Sequence, residues 1–319
     1  MLSLSRNKIV KLFVALITLT ALMLAVDFTL VIDAISQIDV FDILVLCAIS
    51  FALVGVSVWK WQCFLTRLGI DVGFWRLFQL YLVGYFVNLL APSFVGGDVV
   101  RSLYLGSSVD KARAVSSTLL ERYTGVVAMI AIALLSMFLS SAVTAQIRLL
   151  VVVLALGCAV STWLVFAGVI GSVARRFRLP AAISAPAARI ESSLTWGMSD
   201  PGLVVKTLLI SVIFHILTVI NTAAVGAAVG WSAVPWGDLF VVVPLILIVG
   251  AVPISPQGLG IQEGAFVYFL TSVGVTPDQA LAIALVLRAK SYVLAGLGGL
   301  VLLALRRHSD SDQQTAINR

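Results

Sequence analysis

The chain has 319 residues, of which 61% are hydrophobic and 11% charged, and its mean hydropathy is +1.10. This composition is too apolar for a soluble globular domain and predicts an integral membrane protein. The formal net charge of +6 is spread over short loops, which argues against a nucleic-acid partner and favours a role in topology. Since the apolar stretches lack the alternation of a transmembrane barrel, we predict an all-α polytopic fold.

Six segments are long enough to cross a bilayer as helices, which takes about 20 apolar residues each. In chain order the predicted spans are 9–32, 41–59, 115–140, 149–170, 203–229 and 281–305. The first follows a basic N-terminus without a cleavage site, so we interpret it as a retained helix. Two further apolar segments, 77–91 and 239–252, reach only about 22 Å of a hydrocarbon core of about 30 Å before proline and glycine interrupt them.

The distribution of Lys and Arg predicts how the two short segments are inserted. Basic residues cluster before the first span, after the second, and in 101–113, 175–206 and 306–307, whereas 230–238 and 253–280 contain none. Positive-inside orientation is satisfied if both short segments are re-entrant hairpins, one from each side of the membrane. We therefore expect a multi-pass protein of the cell inner membrane with both termini in the cytoplasm, a cytoplasmic linker at 171–202 and a polar tail at 306–319.

Each short segment is followed by helix-breaking residues, an acid and a distant arginine. The first motif contains Asn88, Pro92, Gly96, Gly97, Asp98 and Arg101, with Glu121 and Arg122 in the next span. The second contains Pro256, Gly258, Gly260 and Glu263, with Arg288 and Tyr292 in the last span. Because each half holds three spans and one re-entrant element, we predict inverted repeats, at 1–147 and 148–305, within one membrane domain.

The residue types of both motifs fit a cavity for an anionic headgroup. Irregular backbone at membrane depth is tolerated where it lines an enclosed or wet cavity. The helices predicted to start after Gly97 and Gly260 would offer free N–H groups beside arginines, a combination that suits phosphate. Asp98 and Glu263 have two open interpretations, as caps of these helices or as groups that contact substrate or couple transport. We expect the pairs Arg122–Asp98 and Arg288–Glu263, with a purely structural role as the alternative.

These two motifs resemble the lysylphosphatidylglycerol synthase transmembrane region, also called the flippase-like domain family. The more specific part is Ser255-Pro256-x-Gly258-Leu-Gly260-x-x-Glu263 followed by Arg288-x-x-x-Tyr292. The resemblance implies an inner-membrane protein that moves aminoacylated phosphatidylglycerol or polyprenyl-phosphate-linked sugars. Multifunctional members carry a soluble aminoacyl-transfer domain after the membrane region, whereas this chain ends in a short polar tail. Lipid aminoacylation is therefore not expected.

The functional hypothesis is a secondary lipid flippase in which Arg101, Arg122 and Arg288 hold an anionic headgroup. No nucleotide motif, metal-ligand cluster or catalytic triad is evident in the sequence, so neither an enzyme nor a cofactor is expected. Two alternatives stay open. One is an enzyme that acts on a lipid-linked substrate in the same cavity, and the other is an accessory subunit that partners a lipid synthase or glycosyltransferase.

Overall fold

The computed structural model describes residues 26–90, 95–106, 109–167, 191–231 and 233–317, apart from positions 193 and 253, together with residues 16, 18 and 20. Most of the first predicted span, Pro92 of the first motif, the last residues of the predicted span 149–170 and residues 171–190 of the predicted linker lie outside this part of the chain. The side chains of residues 306–317 are also outside the description, so only the helical backbone of the predicted polar tail is considered.

The described residues form helices and turns without any strand, and this confirms the all-α prediction. The elements are α1 (Phe28–Ser36), α2 (Val40–Arg67), α3 (Phe74–Leu90), α4 (Val95–Leu103), α5 (Lys111–Ser136), α6 (Ala145–Phe166), α7 (Pro201–Ala228), α8 (Trp236–Ala251), a 3₁₀ turn (Pro256–Gly258), α9 (Ile261–Thr271) and α10 (Pro277–Ile317). Five of them, α2, α5, α6, α7 and α10, include stretches long and apolar enough to cross a membrane. They match the last five of the six predicted spans.

A new helix begins after Asp27, whereas the first span was predicted to continue to residue 32. Asp27 has extended backbone, with φ −76° and ψ 108°, and its carboxylate accepts the N–H of Thr29 at 2.9 Å. An aspartate in this position caps a new helix instead of continuing the previous one. The prediction was wrong at this end because apolar residues on both sides of Asp27 concealed the cap.

Large apolar side chains cover the outer faces of the spanning helices. On α6 the residues Leu149, Val153, Leu156, Val160 and Trp163 are 55–65% exposed. They recur every three or four positions, so they form one continuous stripe along the helix. Such a stripe would be unfavourable in water and is accommodated by lipid, which agrees with the membrane assignment from composition.

Each of the two short apolar helices forms a helical hairpin with the helix that follows it. In the first hairpin, formed by α3 and α4, a Cβ at Gly97 would overlap the carbonyl of Gly84. The Gly97 N–H donates to the Asn88 side chain at 2.8 Å and closes the hairpin. In the second hairpin, formed by α8, the 3₁₀ turn and α9, Gly258 lies against the carbonyl of Gly250.

One boundary in the first hairpin differs from the prediction. The helix expected to begin after Gly97 begins at Val95, so Gly96 and Gly97 occupy its first turn. Glycine is normally unfavourable inside a helix, but here the missing side chain permits close backbone contact with α3. Gly97 therefore lies inside the helix, where its N–H donates to the Asn88 side chain and is not free for a ligand. In the second hairpin α9 begins at Ile261 with Gly260 as its N-cap, as predicted.

The two halves of the chain pack against each other through α2 with α7 and α3 with α10. On α10, a Cβ at Gly298 would overlap the Leu82 carbonyl of α3, so the two backbones are in direct contact. Close approach at glycine is the usual way in which membrane helices gain van der Waals contact. This packing fixes the first hairpin against the helix that carries Arg288.

Candidate functional site

Arg101 is buried at the base of the first hairpin, with 1% of its surface exposed. Its Nη2 donates to Glu121 Oε2 at 2.6 Å and lies 3.2 Å from Asp98 Oδ1. The guanidinium also stacks at 4.5 Å from the Trp61 ring centroid and 4.1 Å from that of Tyr81. The Tyr81 hydroxyl in turn donates to Glu121 at 2.7 Å. Its Nε and Nη1 are buried without a hydrogen-bond partner among the described residues.

Arg122 and Asp98 form the ion pair that the sequence predicted. Arg122 Nε and Nη2 donate to the two carboxylate oxygens of Asp98 at 2.8 and 2.9 Å. The Arg122 side chain remains 54% exposed, whereas that of Asp98 is 14% exposed. Asp98 therefore lies between Arg101 and Arg122. Among the described residues, no backbone N–H of α4 donates to its carboxylate, so the capping interpretation of Asp98 is not observed. Glu121 was also a predicted site residue, but its pairing with Arg101 was not foreseen.

Arg288 pairs with the buried Glu263 in the second half, again as predicted. Glu263 Oε2 also accepts the N–H of Gly260 at 2.7 Å, so the carboxylate caps α9 and neutralises Arg288 at the same time. The capping interpretation of Glu263 is therefore confirmed, and a role in substrate contact or coupling stays a prediction. Arg288 reaches further to the Gln257 carbonyl and the Gln262 side chain, both at 3.4 Å.

Gln257 joins the two hairpins. Its side-chain amide donates to the Asn88 carbonyl of the first hairpin at 2.8 Å. Its backbone has a φ of 51°, a left-handed conformation that residues other than glycine rarely adopt. Pro256 precedes it at the start of the 3₁₀ turn, and Gly258 and Gly260 follow with φ of 66° and 80°. The second motif thus builds a strained tip whose side chain reaches the other half of the protein.

We predict that the thermal stability of the Gln257 variants falls in the order wild type, Gln257→Gly, Gln257→Ala. Both variants lose a hydrogen bond worth about 1 kcal/mol. Only glycine relieves the left-handed backbone, which recovers about 0.5–1 kcal/mol. Melting temperatures of the detergent-solubilised protein measure the order. Gln62→Ala is the matched control because Gln62 donates to the Val72 carbonyl within one half. A Gln257→Ala variant at least as stable as Gln257→Gly would contradict the strain.

A cavity of about 240 Å³ with mixed polar and apolar walls, named the polar cavity for the charged and amide side chains that line it, lies beside the second hairpin. Its walls include three predicted site residues, Glu263, Arg288 and Tyr292. Arg101 and Arg122 do not line it, and neither do Asn88, Asp98 and Glu121, so the structure does not bring all three predicted arginines to one cavity. Polar wall residues that the sequence analysis did not select are Tyr85, Asn221, Gln257, Gln262 and Lys290.

Lys290 is the most informative of these additional residues. Its ammonium donates to the Asn221 side-chain oxygen, and it forms no ion pair with a carboxylate among the described residues. An ionisable residue inside a predicted span is a functional candidate by default, because burying a charge in a membrane is costly. That signal was present in the sequence, two positions after Arg288.

An apolar groove of about 520 Å³ adjoins the polar cavity. Residues of α2 and α10 form most of its walls, among them Cys47, Phe51, Val293 and Leu297, and two isoleucines near the end of α1 complete it. Ser50, Lys290 and Leu294 line both the groove and the cavity. The combined site is therefore amphipathic, with a polar compartment and an apolar compartment that meet at Lys290.

These features define a polytopic α-helical membrane protein with two broken hairpins and an amphipathic site between helices. Residues 8–299 match the model of the lysylphosphatidylglycerol synthase TM region, and the chain belongs to this family. The chain is also 25% identical to a UPF0104 membrane protein of Methanothermobacter thermautotrophicus over 316 residues, which cover 91% of this chain and 93% of the relative. The family suggested by the two sequence motifs is thus confirmed.

Proposed function

We propose that this protein is a secondary transporter that moves an anionic lipid across the cell inner membrane. The observation that carries the proposal is the amphipathic site. A polar cavity suits a headgroup, and a continuous apolar groove suits the chain attached to it. A cavity of about 240 Å³ is smaller than the roughly 300–1,000 Å³ of most ligand sites, so it would hold a headgroup while the tail occupies the groove.

Corresponding positions in the two halves support an inverted repeat. Helices α2 and α7 each contain 28 residues. Arg122 is as far along the chain from the first residue of α5 as Arg288 is from the first residue of α10. In both halves this arginine pairs with an acid in the first turns of the returning hairpin helix. Two pseudo-equivalent halves are the usual basis of alternating access in secondary transporters.

In the proposed mechanism, one half rocks against the other and exposes the headgroup site to each side of the membrane in turn. The hydrogen bond from Gln257 to the Asn88 carbonyl lies where the hairpins meet, so it would form and break in each cycle. Both termini would face the cytoplasm, as the distribution of basic residues indicates. The family resemblance implies two phosphate-bearing lipids to test, polyprenyl-phosphate-linked sugars and aminoacylated phosphatidylglycerol, whose amino group offsets the charge of the phosphate.

We predict that Val293→Trp slows lipid transport at least tenfold. Val293 lines the apolar groove at the surface of the bundle, and an indole there would occupy the space proposed for the tail. Leu300→Trp is the matched control, because Leu300 is on the same helix, is similarly exposed, and does not line the groove. Dithionite quenching of fluorescent lipids in proteoliposomes measures the transport rate of each variant.

Wild-type protein that moves none of a panel of anionic lipids faster than protein-free liposomes would contradict the proposal. The same samples test the enzymatic alternative, since lipid recovered after transport is expected to have an unchanged mass. An accessory role would instead leave Val293→Trp fully active when it replaces the natural protein in cells that also contain the partner synthase or glycosyltransferase.

A further inference from the structure

We infer that two lysines, Lys290 in the second half and Lys60 in the first, bind the phosphate of the transported lipid at successive stages of transport. The inference rests on the proposed function and names the residues and the substrate class of its site. The substrate is a phosphate-bearing lipid whose remaining headgroup is uncharged and rich in hydroxyl groups.

Lys290 has the position that a lipid phosphate requires. In a phospholipid the phosphate lies between the polar headgroup and the apolar tail, and Lys290 lies where the polar cavity meets the apolar groove. Arg288 is neutralised by Glu263, so among the described residues that line the cavity Lys290 is the cation without a carboxylate partner. An anion entering the cavity would complete this pairing.

The rest of the cavity favours hydroxyl groups over additional charges. The side-chain amides of Asn221, Gln257 and Gln262 line the cavity, and each carries both hydrogen-bond donors and acceptors. Amides of this kind can bind a polyol without a net charge. With one cation available for pairing, the cavity suits a single phosphodiester and a neutral headgroup such as glycerol.

Lys60 occupies the position of the first half that corresponds to Asn221, the partner of Lys290. It is as far along the chain from the first residue of α2 as Asn221 is from the first residue of α7. Likewise, Lys290 is as far from the first residue of α10 as Thr124 is from the first residue of α5. Thr124 and Lys60 are thus the counterparts of Lys290 and Asn221, with the lysine on the other helix. The two counterpart helices meet here, because a Cβ at Gly125 would lie 3.2 Å from Lys60 Nζ.

The Lys60 ammonium is buried without a carboxylate partner among the described residues. Lys60 is 6% exposed, and its Nζ lies 5.9 Å from the ring centroid of Phe214. The nearby Glu121 is already occupied by Arg101 and Tyr81. A buried charge without a partner costs several kcal/mol in stability. An anion that visits Lys60 in another conformation explains why the lysine is present.

Phe214 is close to both lysine sites. It lines the cavity that Lys290 also lines, and the Lys60 ammonium lies 5.9 Å from its ring centroid. Lys60 itself does not line the cavity, so in this conformation the Lys290 site is open and the Lys60 site is closed. Alternating access moves the two halves around a substrate site at their interface, and in this inference the phosphate passes from Lys290 to Lys60 within that site as the halves move.

Binding and transport measured on the same variants test the inference. The full chain in detergent is titrated with phosphatidylglycerol, with phosphatidylcholine and with free glycerol phosphate. We expect Lys290→Met to weaken phosphatidylglycerol binding at least tenfold. Lys60→Met should leave this binding within threefold of wild type but slow transport at least tenfold. Lys206→Met is the matched control, because Lys206 is exposed on α7, and it should resemble wild type in both assays.

Stability separates a transport role of Lys60 from a structural one. Because Lys60→Met removes an unpaired buried charge, its melting temperature should equal or exceed that of wild type while transport falls. A structural lysine would lower both, and that result would overturn the Lys60 assignment, as would wild-type transport by Lys60→Met. Lys60→Arg and Lys290→Arg, which keep the charge, should each retain more activity than the methionine variants.

Three further outcomes would overturn the substrate assignment. They are unchanged phosphatidylglycerol binding by Lys290→Met, equal binding of phosphatidylcholine by wild type, and binding of free glycerol phosphate as tight as that of the lipid. Failure of the proposed function is distinguishable. Wild-type protein that binds phosphatidylglycerol through Lys290 but moves no lipid would refute transport and the Lys60 stage, while the Lys290 site would stand.

Discussion

Replacing Glu121 by leucine is expected to lower the free energy of unfolding by about 3 kcal/mol, because the substitution leaves the Arg101 cation buried without its closest carboxylate partner. Arg101 is 1% exposed, and Glu121 provides its shortest contact, at 2.6 Å. Asp98 cannot fully compensate, since it lies 3.2 Å from Arg101 and is shared with Arg122. The melting temperature and the denaturant midpoint of the solubilised protein measure the loss.

The double variant Arg101→Met/Glu121→Leu provides the decisive comparison. If the penalty of Glu121→Leu comes from an uncompensated charge, removing that charge as well should restore much of the stability, since methionine can pack between Trp61 and Tyr81. Arg113→Met is the control for loss of an exposed pair. Its partner Asp110 is 3.9 Å away, both side chains are more than half exposed, and the expected change is below about 1 kcal/mol. A double variant less stable than Glu121→Leu would contradict the charge argument.

The positions of the apolar helices along the chain were largely predictable from the sequence. The last five predicted spans and both short segments correspond to helices, because the apolar length of a spanning helix is fixed by bilayer thickness. The end of α2 was not predictable in the same way. The span was expected to stop at residue 59, but the helix continues to Arg67 and buries Lys60. A lysine at a span boundary resembles a topology signal, and only tertiary packing shows that it is enclosed.

The candidate site was predictable from the sequence only in part. Pairing of Arg288 with Glu263 and of Arg122 with Asp98 follows from the cost of leaving a guanidinium unpaired at depth. The partner of Glu121 depends on how α4 returns along α3, and spacing alone does not give that direction. The apolar groove was not predictable, because it exists where α2 and α10 stand apart, and the sequence does not encode gaps between helices as a local pattern.

Two glycines on α10 distinguish backbone contact from ordinary helix packing. Gly298→Ala is expected to lower the free energy of unfolding by about 2 kcal/mol, since the added Cβ would overlap the Leu82 carbonyl of α3 and push the helices apart. Gly296→Ala should be neutral or raise the free energy of unfolding by up to about 1 kcal/mol, because no atom lies within 4 Å of the added Cβ and alanine favours the helix. The melting temperature of Gly298→Ala should therefore fall below that of wild type, whereas that of Gly296→Ala should equal or exceed it.

The same pair of variants bears on transport. The contact of Gly298 with Leu82 joins the first half to the second, so we expect it to be the pivot about which the halves rock, while α2 and α10 change their separation at the groove. If so, a cross-link between α3 and α10 beside Gly298 should leave transport intact, whereas a cross-link between Cys47 and a cysteine introduced at Val293, which line opposite walls of the groove, should stop it. Loss of transport with the α3–α10 cross-link would place the moving interface there instead.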